Sequence, residues 1–146
     1  MDKAEPPETF GVFKPVDHTV AVFRSAAERE AAEAIMLSQG VESAAMVRYT
    51  PSEMMALVDR ELPNAGMLAS FGYELDLIKT YRAQAQDGCS FLVVHAPDPD
   101  AARQVADVVR SVQAVAAQHY GTFMIEDLLA PTPGASTTDA PPRRDR

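Results

Sequence analysis

The sequence predicts an α+β domain with a ferredoxin-like βαββαβ core and a helical insert between its second and third strands. The main observation is a unit that occurs twice, a short apolar run leading into a capped helical stretch. Val20-Ala21-Val22-Phe23 leads into Ser25 and a run to Leu37, and Phe91-Leu92-Val93-Val94-His95-Ala96 leads into Asp98-Pro99-Asp100 and a periodic run to Val112. The second observation is size and composition: 146 residues, 47% of them hydrophobic, suit one core rather than two marginal ones.

His18 to Phe23 reads as the first strand. Val20 and Val22 oppose Ala21 and Phe23, so both faces are apolar and the strand belongs inside a sheet. Ser25 followed by Glu28 forms a capping box that satisfies amides at a helix start. The helix offers Ala27, Ala31, Ala34, Ile35 and Ser38 as its buried stripe, and Gln39-Gly40 ends it. Ala44 to Tyr49 is the second strand, with Ala45 and Val47 opposing Met46 and Arg48.

Thr50-Pro51-Ser52-Glu53 repeats the capping logic, with proline at a first-turn position where its missing N–H costs nothing. A short helix through Met54, Leu57, Val58 and Leu62 breaks at Pro63, and Asn64-Ala65-Gly66 is a turn. A longer helix runs from about Leu68 to Gln86. Phe71, Leu75, Ile78 and Ala85 share its face, Leu77 and Tyr81 widen it, and Gly88 stops it. Ser90 to His95 is the third strand.

Asp98-Pro99-Asp100 opens the next helix, with Ala102, Val105, Val109 and Val112 inward and Arg103, Asp107 and Arg110 outward. Val115 to Tyr120 alternates as the last strand. Gly121 bends it, and Thr122 to Ile125 is again strand-like, giving one bent strand or two short ones. The expected organisation is an N-terminal arm over 1–16, one domain over 17–129 with its insert at 51–87, and a tail over 130–146. The tail, rich in Pro, Thr and Arg, lacks the side chains that offset ordering entropy, so disorder is expected there.

In the usual strand order 4-1-3-2, right-handed crossovers put both main helices on one sheet face. The other face then needs the insert or a second copy of the chain, and a homodimer is expected on that ground.

The formal net charge of -8 argues against a nucleic-acid partner, since Lys and Arg cluster only at Arg143, Arg144 and Arg146. No apolar run approaches the roughly 20 residues that span a bilayer. Asp2, Lys3, Glu5 and Glu8 are unlike a secretory leader, so a cytoplasmic location without membrane attachment is expected. Cys89 is the only cysteine and reads as a structural thiol.

Ala21-Val22-Phe23, the Glu- and Ala-rich helix through Ala34 and Ile35, the Gly40 break, and Gly88-Cys89-Ser90-Phe91-Leu92-Val93-Val94-His95-Ala96 before a second Ala/Val helix together resemble the bacterial general stress protein 17M-like group. The resemblance covers roughly half of the chain and implies a stress-related or regulatory role, with no catalytic chemistry to carry over. Members of that group commonly have a long Gly/Ala-rich apolar insertion. Met54 to Gln86 carries charges and aromatics instead, so membrane association is not transferred.

His95 and His119 are the pair with chemical interest, because neutral imidazoles bind metals and carry protons near pH 7. With the third strand parallel to the first and the fourth antiparallel, the two meet near Arg24, while His18 lies at the far end. Tyr73, Glu74, Tyr81, Tyr120 and His119 are candidates for a pocket between insert and sheet, since tyrosine offers an apolar ring and one hydrogen bond. Glu126 and Asp127 point to opposite faces of a strand and make a poor catalytic pair. Met54-Met55 reads as helix core.

No phosphate-cradling glycine loop and no nucleophile elbow occurs. Sparse polar constellations, with the stress-related role that the resemblance implies, make the expected function a non-catalytic, stress-associated regulatory or protein-interaction domain without cofactor. The alternative is a small-molecule sensor or small enzyme with a cavity lined by Tyr73, Tyr81, His95, His119 and Tyr120.

Overall fold

The computed structural model describes residues 8–9, 12–13, 15–61 and 72–129, with side chains for 15–61 and 75–129. The tail at 130–146, the break at Pro63 to Gly66, and Leu62, Leu68 and Phe71 lie outside the described residues. A short antiparallel ladder joins β1 (Glu8–Thr9) to β2 (Val12–Phe13). The body then runs β3 (His18–Phe23), α1 (Ala26–Ser38), a 3-10 turn (Ser43–Ala45), β4 (Met46–Tyr49), α2 (Pro51–Glu61) and α3 (Gly72–Gln86). It continues through β5 (Ser90–His95), α4 (Pro99–Ser111), β6 (Ala116–Tyr120) and β7 (Ile125–Asp127).

Helix boundaries follow local chemistry. Ser25 accepts from the Glu28 amide, Thr50 and Glu53 cap each other reciprocally, and Asp98 accepts from the Ala101 amide. Gly40 and Gly88 take φ of +96° and +91°, and the amides just beyond them, Val41 and Cys89, donate back to Met36 and Gln84. Those bonds close the ends of α1 and α3 in Schellman fashion.

The strands form a five-stranded sheet of order β4-β5-β3-β6-β7, in which every neighbouring pair is antiparallel. This corrects one expectation. The third strand of the core, β5, runs antiparallel to β3, because the crossover through α1 makes β3 and β4 run the same way and β5 returns between them. The last stretch resolves into two strands: β6 and β7 form a hairpin, and its second arm starts at Ile125 rather than Thr122.

Both sheet faces are covered. On one side Ala21, Phe23, Met46, Leu92, Val94 and Ala117 pack against Ala32 and Met36 of α1 and Val105, Val108 and Val109 of α4. On the other, Val20, Val22, Tyr49, Phe91 and Val93 pack against Met54, Leu57 and Val58 of α2 and Ile78, Tyr81 and Ala85 of α3. The insert thus covers the face that otherwise called for a second copy.

The buried face of α1 differs from the expected stripe. Arg29, Ala32, Glu33 and Met36 point inward, whereas Ala27, Ala31, Ala34 and Ser38 are exposed. Charge compensation explains the rotation. Glu33 accepts from Arg29 Nε at 2.8 Å, one turn away, and from Arg48 Nε at 2.6 Å on β4. With its charge matched, this face can bring Ala32 and Met36 into the core.

Candidate functional site

Antiparallel register places the histidines. His18 is the cross-strand partner of His95 on one side and of Tyr120 on the other. One residue along, Thr19 pairs with His119, and His119 pairs with Glu126. Adjacent strand residues face opposite ways, so His95, His18 and Tyr120 form a row on the insert face, and Thr19, His119 and Glu126 form a row on the α4 face. His95 and His119 therefore do not share a cavity, and neither lies at the Arg24 end of β3. His18 joins His95: their rings are 4.8 Å apart and tilted by 39°.

The tyrosines separate in the same way. Tyr81 and Tyr120 meet in the core beneath α3, where the Tyr81 hydroxyl donates to Gln118 Oε1 at 2.9 Å and accepts from the Tyr120 hydroxyl at 2.8 Å. Phe91 lies edge-on to Tyr81 at 6.1 Å. These rings make a buried hydrogen-bonded joint between insert and sheet. Tyr73 and Glu74 fall in the first turn of α3, and their side chains lie outside the described residues.

The α4 face carries a cleft of about 480 Å³ between α4, the start of β3 and the β6–β7 hairpin, with His119 in its lining. Asp17, Asp98, Arg103, Arg110 and Glu126 also line it, with Gly121 and Thr122 at the hairpin. Backbone hydrogen bonds hold the start of β3 and the hairpin turn. Asp17 sits at φ 67°, a left-handed position that aspartate tolerates. Its amide donates to Tyr120 O at 2.7 Å and its carbonyl accepts from Ala96 at 2.8 Å, tying together the ends of β5 and β6. The Gly121 amide donates to Met124 O at 2.8 Å, and a Cβ there would lie 3.1 Å from that oxygen, so the turn favours glycine.

His119 is half-buried, with Nδ1 2.9 Å from the Thr19 hydroxyl, which leaves Nε2 for other partners. Burial lowers its pKa from the ordinary 6.5, against the carboxylates of Glu126 and Asp17, so the ring is largely neutral near pH 7. Arg110 Nε donates to Leu128 O at 2.8 Å, and Arg103 Nη1 lies 3.0 Å from Asp100. Each guanidinium keeps further donors. The cleft thus offers two cations, three carboxylates and one neutral imidazole.

His18, Thr19, Asp17 and the cleft-facing roles of Arg103, Arg110 and Glu126 were missed from sequence. Strand direction was the missing signal, since antiparallel pairing on both sides of β3 generates both rows. Glu126 does face away from its neighbour Asp127, whose Oδ1 instead accepts from the Leu129 amide at 3.1 Å. Cys89 is buried, and burial followed by Asp87 raises its pKa, so it is not thiolate at neutral pH.

Among the described residues no group of three or more His, Cys, Asp or Glu side chains could hold a metal ion, and no helix is long and apolar enough to cross a membrane. The fold and cleft define an α+β domain with a preformed polar cleft. No protein-family model, curated protein or solved structure matches the chain.

Proposed function

We propose that this chain is a small-molecule-binding domain on a ferredoxin-like βαββαβ core, with the cleft beneath α4 as its site. The core assignment is supported by the order β4-β5-β3-β6, the ferredoxin-like succession 2-3-1-4 with β7 added at one edge. The observation that carries the function is His119, held by Thr19 and facing Glu126, in a cleft where charged side chains arrive from separate parts of the chain. A volume of about 480 Å³ is within the usual range for small-ligand sites.

Arg103 and Arg110 suit an anionic group, and Asp17, Asp98 and Glu126 suit an amine or hydroxyl, so the ligand is a small dipolar molecule. His119 supplies a proton-sensitive contact to it. The regulatory role implied by the general stress protein resemblance then becomes that of a sensor, in which occupancy of the cleft alters the hairpin.

Amide NMR with a panel of free amino acids, sugar phosphates and hydroxy acids tests this. Saturable shifts are expected at Gly121, Thr122, Arg103 and His119 and are lost in His119→Ala. A panel whose hits all map elsewhere rejects the site.

A second reading, a protein-interaction domain, is favoured by the hairpin tip, where Phe123 is 98% and Met124 71% exposed. Its test is the state of assembly in solution.

A further inference from the structure

The two imidazoles on the insert face have no part in the cleft, yet they are arranged for joint ligation. His18 begins β3 and His95 ends β5, and the two are direct cross-strand partners. Their ring centroids are 4.8 Å apart. Metal–nitrogen bonds of about 2.0–2.1 Å put two imidazole centroids about 5 Å apart around one tetrahedral ion. The observed centroid spacing is close to that value.

The proton on His18 is also determined. Nδ1 lies 2.8 Å from the Val16 carbonyl oxygen, which can only accept, so Nδ1 carries the hydrogen and Nε2 of the neutral ring carries the lone pair. A backbone carbonyl behind the non-ligating nitrogen is the usual support of a metal-bound histidine, because it fixes tautomer and ring direction. His18 is buried at 8% exposure while His95 is exposed, so one ligand is anchored and the other open to solvent. The neighbouring Tyr120 hydroxyl is engaged by Tyr81.

We infer that His18 and His95 form a two-histidine site for a borderline divalent transition ion such as Zn²⁺, completed by solvent, that clasps the start of β3 to the end of β5. Imidazole pairs select such ions over Mg²⁺ or Ca²⁺, which demand oxygen ligands. The site lies on the opposite sheet face from the proposed ligand cleft and stands independently of it.

The test is Zn²⁺ titration of the isotope-labelled full chain, read at the histidine ring signals. Saturable shifts at His18 and His95 are expected, with His119 unmoved and Mg²⁺ without effect. Binding should weaken at least about tenfold in His95→Gln, an exposed position where folding is not at stake, as loss of a supporting partner alone costs about 10–100-fold. It should also weaken as pH falls to about 5.5, because protons compete for the same nitrogens. His119→Gln should bind Zn²⁺ like the parent. Unchanged affinity in His95→Gln, or Zn²⁺ shifts that spare either His18 or His95, overturns the assignment.

Discussion

At His119 and His18 burial and neighbouring charge pull on the proton in opposite directions, and burial is the larger influence on both. For His18 the Val16 carbonyl and Asp17 favour the charged ring, while burial and His95 oppose it, and the folded pKa lies below 6.5. For His119 burial opposes Glu126 and Asp17 with the same outcome. The unfolded chain has ordinary histidines near 6.5. Above that value both states are neutral and nothing is lost. As pH falls through it, the unfolded chain takes up protons that the folded chain resists, so stability declines until the folded rings also protonate. Urea midpoints measured from about pH 7.5 to about pH 5.5 should therefore fall, and fall less in the His18→Gln/His119→Gln double variant. A midpoint that stays level or rises over this window contradicts the burial argument.

Among the elements, α1 shows most clearly what could and could not be read in advance. Its existence was legible, since Ser25, Glu28 and Gly40 mark both ends. Its orientation was not, because a stripe of alanines looked more like a core face than one containing Arg29 and Glu33. The deciding partner, Arg48, is on another element, and local periodicity carries no record of it. Removing the carboxylate in Glu33→Ala leaves the buried Arg29 without its main partner and should cost about 3 kcal/mol of unfolding free energy. Ala34→Lys and Ala31→Lys, on the exposed side, should change it by less than about 0.5 kcal/mol. Equal losses at all three positions in urea unfolding would mean that the helix is turned as its alanines suggested. The same limit applies to the candidate site. Strands β3 and β5 were visible as apolar runs, but the rows through His18 and His119 depend on register and direction, which arise between strands. A histidine and tyrosine drawn into one pocket, His119 and Tyr120, are adjacent in β6 and must face opposite sides.

For the molecule as a whole, assembly depends on which apolar surface remains open. The sheet gives up both faces to its own helices, α1 and α4 on one side and α2 and α3 on the other. Among the described residues the most exposed large apolar side chains are Phe123 and Met124 at the hairpin tip, with Leu37 and Val115 exposed to a lesser degree. An aromatic side chain covers about 150–250 Å² when buried, so two tips meeting would bury well under the roughly 1,200–2,000 Å² of a stable interface. The net charge of -8 adds mutual repulsion between copies. A homodimer built on the tip alone is therefore weak. Sedimentation at micromolar concentration should report a monomer, with any association at higher concentration reduced in Phe123→Ser/Met124→Ser. Under the interaction reading the tip instead acts as an anchor for a partner that supplies the missing area, with Phe123 filling a pocket on it. A tight dimer that survives the double serine substitution would assign assembly to a surface other than the hairpin. It would also remove the argument that links the exposed Phe123 to a partner.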